Sequence, residues 1–222
     1  MRRPSKTELA LLVGTVIATG MVNAQQDEMP EVDIYGYQFY FSIFPLNFAN
    51  EYVSTTPAAN AKPGGGYSAT PNSHVQCTAN VMVENMAAGA DSTPSNPSNA
   101  SLAIPLRYAN PINIVYSSTY AAGFSATKAS NGFAIFPNYA IGINAAIYTT
   151  NVYLLKDYTI TDLVNAWAPS AVNPNALSNT LSGLGISSSV ADATSLSQLT
   201  GEQIIQVIAA FAWQEGFKVP TC

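Results

Sequence analysis

The stretch that leaves this chain the fewest options is "LTGEQIIQVIAAFAWQEG", Leu199 to Gly216. Thr200 with Gln203 three residues later is a capping-box pattern that starts a helix, and Ile204, Ile205, Ile208, Phe211 and Ala212 recur at helical spacing as an apolar stripe. Gly216 suits the left-handed residue that ends such a helix. The stripe requires partner elements to cover it. It also leaves Glu215 at the C-terminal end of an otherwise apolar helix, where the helix dipole and any burial both disfavour negative charge.

The rest of the chain can supply those partners. At 222 residues, 48% hydrophobic and 9% charged, it can bury one good core and is not a disordered protein. Its surface has to be covered by Ser, Thr, Asn, Gln and Tyr, a habit commoner in exported, virion and cell-envelope proteins than in soluble metabolic enzymes. The N-terminus agrees with export. Arg2, Arg3 and Lys6 precede an apolar stretch from Leu9 to Val22 that ends in Val22-Asn23-Ala24, the pattern of a signal peptide cleaved after residue 24. The alternative is a membrane anchor over residues 9–22. That stretch is interrupted by Gly14, Thr15, Thr19 and Gly20 and falls short of the roughly 20 residues a spanning helix needs, so no stable span is expected after cleavage.

Without residues 1–24 the chain keeps 12 acidic and 5 basic residues, a formal charge of -7 against -5 for the whole sequence. Such an acidic chain is no nucleic-acid binder, and it cannot adhere to an anionic wall by charge alone. Cys77 and Cys222 are the only cysteines. In an exported protein they either form one disulfide tying the C-terminus back to the N-terminal region, or stay free or pair between molecules.

Residues 25–101 read as a β-rich and linker region. Tyr35, Tyr37, Phe39, Phe41 and Ile43 alternate at period two within Val32 to Val53, which predicts a strand with an aromatic face. Residues 54–73 and 87–101 are loop-like in composition, and "HVQCTANVMVENM" between them offers a short strand around Val81 to Val83. From residue 102 to 222 the pattern turns helical after a few extended pieces broken at Asn110-Pro111 and Pro137. Helices are expected over 142–157, over "TITDLVNAWAP" with Thr159 or Thr161 as cap, and over "NPNALSNTLSGLG" with Gly183 and Gly185 to end it. The fold class is therefore α+β: a mostly helical C-terminal domain with a small hairpin, preceded by the β-rich region.

One order of residues in the C-terminal half carries more than local structure. Arg107, Asn110, Pro111, Asn113 and Ile114 come first, then Phe133, Ala134 and Phe136, then Gly142 and Ala145. Thr159, Ile160, Trp167, Ala168, Pro169, Leu184, Gly185 and Glu215 follow. In order and spacing this resembles a family of phage virion and prophage proteins that open with "RNNNPGNI" and close with "HENG", over about half of the chain. The resemblance implies a lysozyme-like domain that cuts peptidoglycan locally, with the hairpin first and the helix bearing the Glu last. It implies Glu215 as the catalytic acid and Arg107, Asn110 and Asn113 as substrate-binding residues across a sugar cleft, since amides both donate to and accept from hydroxyl and N-acetyl groups. The residues alone leave a second reading open, in which Asn110-Pro111 is a turn whose amides bond local backbone. The sequence departs from the pattern in two places. Ile112 replaces a Gly, and a β-branched residue does not take positive φ, so the turn must differ. "WQEGF" lacks the residue between Glu and Gly, and Glu215 rather than Gln214 aligns because Ala212, Phe211, Ile208, Val207 and Ile204 precede it on one face.

Other lytic chemistries lack parts. His74 is the only histidine, so a zinc site lacks ligands and no metal or other cofactor is expected, and His74 and Cys77 lie too close in sequence for a Cys/His peptidase. "KPGGGYS" lacks the Lys-Ser/Thr of a phosphate loop. Past residue 101 the other acids are Asp157, Asp162, Asp192 and Glu202, with nothing marking a second catalytic carboxylate. One acid suits a lytic transglycosylase better than a two-carboxylate hydrolase. The competing expectation is a non-catalytic structural or adhesive virion component that keeps the fold. The expected partners are peptidoglycan strands and other virion or envelope proteins, in the periplasm, cell envelope or virion. Mass spectrometry of the exported protein should find Gln25 as the mature N-terminus, and an intact Met1 in a membrane extract would refute the cleaved signal.

Overall fold

Every residue from Ile204 to Ala212 is buried, including Gln206, so the C-terminal helix has no solvent face along most of its length. A helix apolar all round must be surrounded, and the rest of the fold does this. The computed structural model describes residues 67–154 and 158–222, all within one unit. The expected signal segment, the aromatic strand at 32–53 and Asp157 lie outside the described residues.

In chain order the elements are α1 (Ser73–Ala88), α2 (Ile104–Arg107), α3 (Ser118–Phe124), β1 (Thr127–Lys128), β2 (Ala134–Ile135), α4 (Tyr139–Leu154), α5 (Ile160–Trp167), α6 (Ala176–Leu184), α7 (Ser188–Ala193) and α8 (Gly201–Glu215). Among the described residues the domain is thus mostly helical with one small antiparallel hairpin. β1 and β2 pair in the register Thr127 with Ile135 and Lys128 with Ala134. A further segment runs along β2's side of the hairpin, where the Ala134 and Tyr116 N–H groups donate to Ile114 and Gly132 carbonyls at 2.9 and 3.0 Å.

Helix α8 packs chiefly against α1 and α6, and α1 also packs against α4. Its fully buried Ile208 and Phe211 are among the largest core side chains, and burying each stabilises the fold by roughly 2 kcal/mol. The strand expected around Val81 to Val83 is instead the middle of α1. Val75, Ala79, Met82 and Met86 form one buried face at helical spacing, and Asn72 caps the first turn by accepting from Val75 N–H at 2.9 Å. The β-branched Val81 and Val83 suggested a strand, but packing on α8 overrides that preference. This helix lies N-terminal to residue 102 and belongs to the same helical unit.

The extended reading of "LRYANPINIVY" is likewise corrected at its start, since Ile104–Arg107 is a helical turn with Pro105 in its first positions, where a missing N–H costs nothing. Caps follow the sequence elsewhere. Thr159 and Asp162 form a reciprocal capping box for α5, Thr200 and Gln203 do so for α8, and Gly185 takes the left-handed position after α6. Gly183 lies inside α6, where a Cβ would stand 3.0 Å from the Val75 side chain. Under the hairpin, Tyr120 and Phe124 of α3 make edge-on contacts with Phe136, and Tyr120 bonds Thr149 of α4 at 2.7 Å. Burial raises the Tyr120 hydroxyl above its ordinary range, opposed in part by that bond.

After α8 the Phe217 N–H returns to Ala212 O at 2.8 Å, Phe217 is fully buried against Tyr139, and the chain reaches Cys222, which is disulfide-bonded to Cys77 of α1. His74 reinforces this junction, stacking on Trp213 and bonding Cys222 O at 2.9 Å. A crosslink between residues 145 apart removes chain entropy worth at most about 5 kcal/mol, comparable with the whole stability of a small domain. Thermal unfolding without reductant should therefore have a midpoint higher than with it, by up to about 10–20 °C, and an unchanged midpoint would show that the link constrains little.

Candidate functional site

The turn that follows α2 is built by one side chain. Asn110 is fully buried, its Nδ2 donates to the carbonyls of Ile114 and Ala134 at 2.9 Å each, and its Oδ1 accepts from Ile114 N–H at 2.8 Å. All of its amide is spent on backbone, so here the local-turn reading describes it. By bonding both the turn and β2, it fixes the turn to the hairpin.

The departure at Ile112 is absorbed by its neighbours. Ile112 is buried, and positive φ falls on Ala109 (50°) and Asn113 (55°) instead, the second being a residue type that tolerates that region. The left-handed turn at Asn113 accompanies a side chain directed to α8, where Nδ2 donates to Glu215 Oε2 at 2.7 Å across 102 residues of sequence. Its Oδ1 is buried without a protein partner. Arg107 is placed differently: its guanidinium lies 4.9 Å from the Tyr108 ring centre and Nη2 donates to the Tyr108 hydroxyl at 3.4 Å, so it is held against its own neighbour.

Glu215 is half-buried at the last position of α8, before Gly216 in the left-handed conformation (φ 103°). Both carboxylate oxygens are engaged. Oε2 is held by Asn113, while Oε1 accepts from the adjacent Gln214 Nε2 and, at 3.4 Å, from Asn173 Nδ2, which also reaches Gln214 Oε1 at 3.4 Å. Three neutral amides from the turn, from α8 and from the loop between α5 and α6 thus converge on one carboxyl group and fix its rotamer. Neither Gln214 nor Asn173 was expected at the site. Asn173 sits in "SAVNPN", where Asn-Pro signals a turn and nothing in one sequence marks which amide faces a helix 42 residues later.

The other described acids past residue 101 stand away from Glu215 or are bound elsewhere. Asp162 is bound to Thr159 in the α5 cap, Asp192 is exposed on α7, and Glu202 stands at the opposite end of α8, roughly 20 Å from Glu215 at the helical rise. Cys77 is consumed by the disulfide, and no group of three or more His, Cys, Asp or Glu that could hold a metal occurs among the described residues. The site can therefore present one carboxyl group in a fixed orientation, flanked by amides. No protein-family model matches the sequence, and no curated protein or solved structure matches the chain.

The position of Asn113 depends on a glycine in α4. A Cβ on Gly142 would stand 1.6 Å from Ala109 O, closer than any non-bonded pair can approach. Gly142→Ala should push the turn off α4, cost about 3 kcal/mol or more in denaturant unfolding, and separate Asn113 from Glu215. A fully stable variant would show that the close approach is dispensable.

Proposed function

We propose that this unit cleaves the glycan strands of peptidoglycan by a lytic transglycosylase-like reaction, as an exported virion- or envelope-associated protein. The observation that carries the reading is the 2.7 Å bond between Asn113 and Glu215, which joins the hairpin-side turn to the end of the core helix. Those two residues are the ones that the resemblance to the phage virion and prophage family singles out at its two ends. The lysozyme-like comparison of hairpin and helix-terminal Glu supplies the chemistry.

In this mechanism the Glu215 carboxyl, in its protonated form, gives its proton to the glycosidic oxygen as the bond from that oxygen to the anomeric carbon breaks. The 6-hydroxyl oxygen of the same sugar bonds to that carbon and closes an anhydro ring, and the hydroxyl proton returns to the Glu215 carboxylate. No water is consumed, and one carboxyl group acts first as acid and then as base. The amides around Glu215 contribute orientation, which is effective only when the group is held in reach of the reacting oxygen.

A second reading has its own support. Because three amides occupy both oxygens of Glu215, the carboxylate also serves as a latch joining three elements, as a non-catalytic structural or adhesive component would use it. Release of anhydro-muropeptides from purified peptidoglycan separates the two. Glu215→Gln keeps the shape but not the transferable proton and should lower the rate about 100-fold or more. A wild type inactive over a broad pH range would favour the latch, and equal activity in both proteins would remove Glu215 from the mechanism.

A further inference from the structure

The reading above uses the amide of Asn173 but gives the rest of its loop, between α5 and α6, no role. Three large hydrophobic side chains are exposed among the described residues: Val115 (65%), Val152 (38%) and Val172 (81%). Two of the three stand on the segments that hold Glu215. Val115 lies two residues after Asn113, and Val172 directly precedes Asn173. Singly exposed valines need no explanation, but here the segments on both sides of one carboxyl group each carry an amide turned onto it and a valine turned to solvent.

Neither valine is on slack chain. The Val172 and Asn173 N–H groups both donate to Pro169 O, at 2.7 and 3.0 Å, and Ala176 N–H donates to Asn173 O at 3.2 Å. Val115 is bridged to Phe133 of the hairpin. A hydrogen-bonded turn therefore holds Val172 out, and a sheet edge holds Val115.

The chemistry of these two walls selects the occupant. Residues 113–117 and 169–175 contain no charged side chain, so beside Glu215 they offer neutral amides, the hydroxyls of Tyr116, Ser117 and Ser170, one aromatic ring and aliphatic carbon. An ionic ligand has no counter-charge in these segments. An acetamido sugar matches the set, with an amide that both donates and accepts, ring hydroxyls, and a methyl group and C–H face that lose hydration favourably against valine.

We infer that the 169–175 loop is the second wall of a substrate groove over Glu215, in which Asn173 positions the carboxyl group and Val172, with Val115 on the opposite wall, takes the apolar parts of an N-acetylhexosamine strand. This rests on the glycan reading of the site but not on its being catalytic, and the test keeps the two apart. Full-length Glu215→Gln protein, in which cleavage should be slowed about 100-fold or more, is co-sedimented with purified peptidoglycan sacculi. Adding Val115→Ser and Val172→Ser together should weaken retention about ten-fold, while Val152→Ser, on α4, should leave it unchanged. Equal retention of all variants, or no sedimentation of the parent protein, overturns the groove. Retention that depends on the valines, with no anhydro-muropeptide released by the wild type, upholds the groove and removes the reaction.

The role of Asn173 is read without turnover from its side-chain amide resonance in the NMR spectrum, which should move on Glu215→Gln. An unmoved resonance overturns the positioning role. In the active protein Asn173→Ala should lower kcat about ten-fold with KM unchanged, and a rise in KM alone would reassign Asn173 to binding.

Discussion

A helix with no solvent face dictates the plan of this domain. Ile204 to Ala212 are buried without interruption, so α1, α4 and α6 have to gather around α8, and no charged residue stands between its first-turn Glu202 and its last residue Glu215. A carboxylate in the buried middle would carry a desolvation cost of several kcal/mol. Only at the two ends of α8, where Glu202 is exposed and Glu215 half-buried, can one be hydrated and bonded. The place of Glu215 is thus a consequence of how the core is filled, and the turn that meets it is positioned by the same packing.

That meeting relies on a division of labour between two asparagines in one turn. Asn110 spends its whole amide on the backbone of the turn and of β2, and because the turn is fixed from within, Asn113 is free to spend its own on another element. Gly142 completes the arrangement by letting Ala109's carbonyl lie against α4. The three residues lie far apart in their contributions to sequence pattern, yet removing any one acts on the same distance, that between the turn and the end of α8.

Local rules made some of this legible in the sequence. Thr200 with Gln203, Thr159 as one of two cap candidates, and Gly185 and Gly216 mark helix ends because capping is decided within three or four residues, whereas Gly183 lies inside α6. The pairing of the two cysteines follows from their count in an exported chain, and the two are joined. What local pattern could not give was anything decided by long-range packing. Val81 and Val83 favour a strand by themselves and are helical because α8 lies alongside. Nothing distinguishes Asn110 from Asn113 by type or spacing, and their different duties follow from burial and from a φ of 55° at the second. Asn173 owes its place to a loop whose conformation is set by Pro169 and by the neighbouring helix ends.

The bond between Cys77 and Cys222 also changes how the domain bears load. Tension entering ahead of Cys77 and leaving at Cys222 crosses directly through the sulfur atoms, and the intervening turns, hairpin and core helix are shielded from it. Residues 78–221 form a side loop off the line of force, so the carboxyl group and its amides keep their geometry while those two points are pulled apart. A single covalent bond thereby isolates the site from tension along the chain.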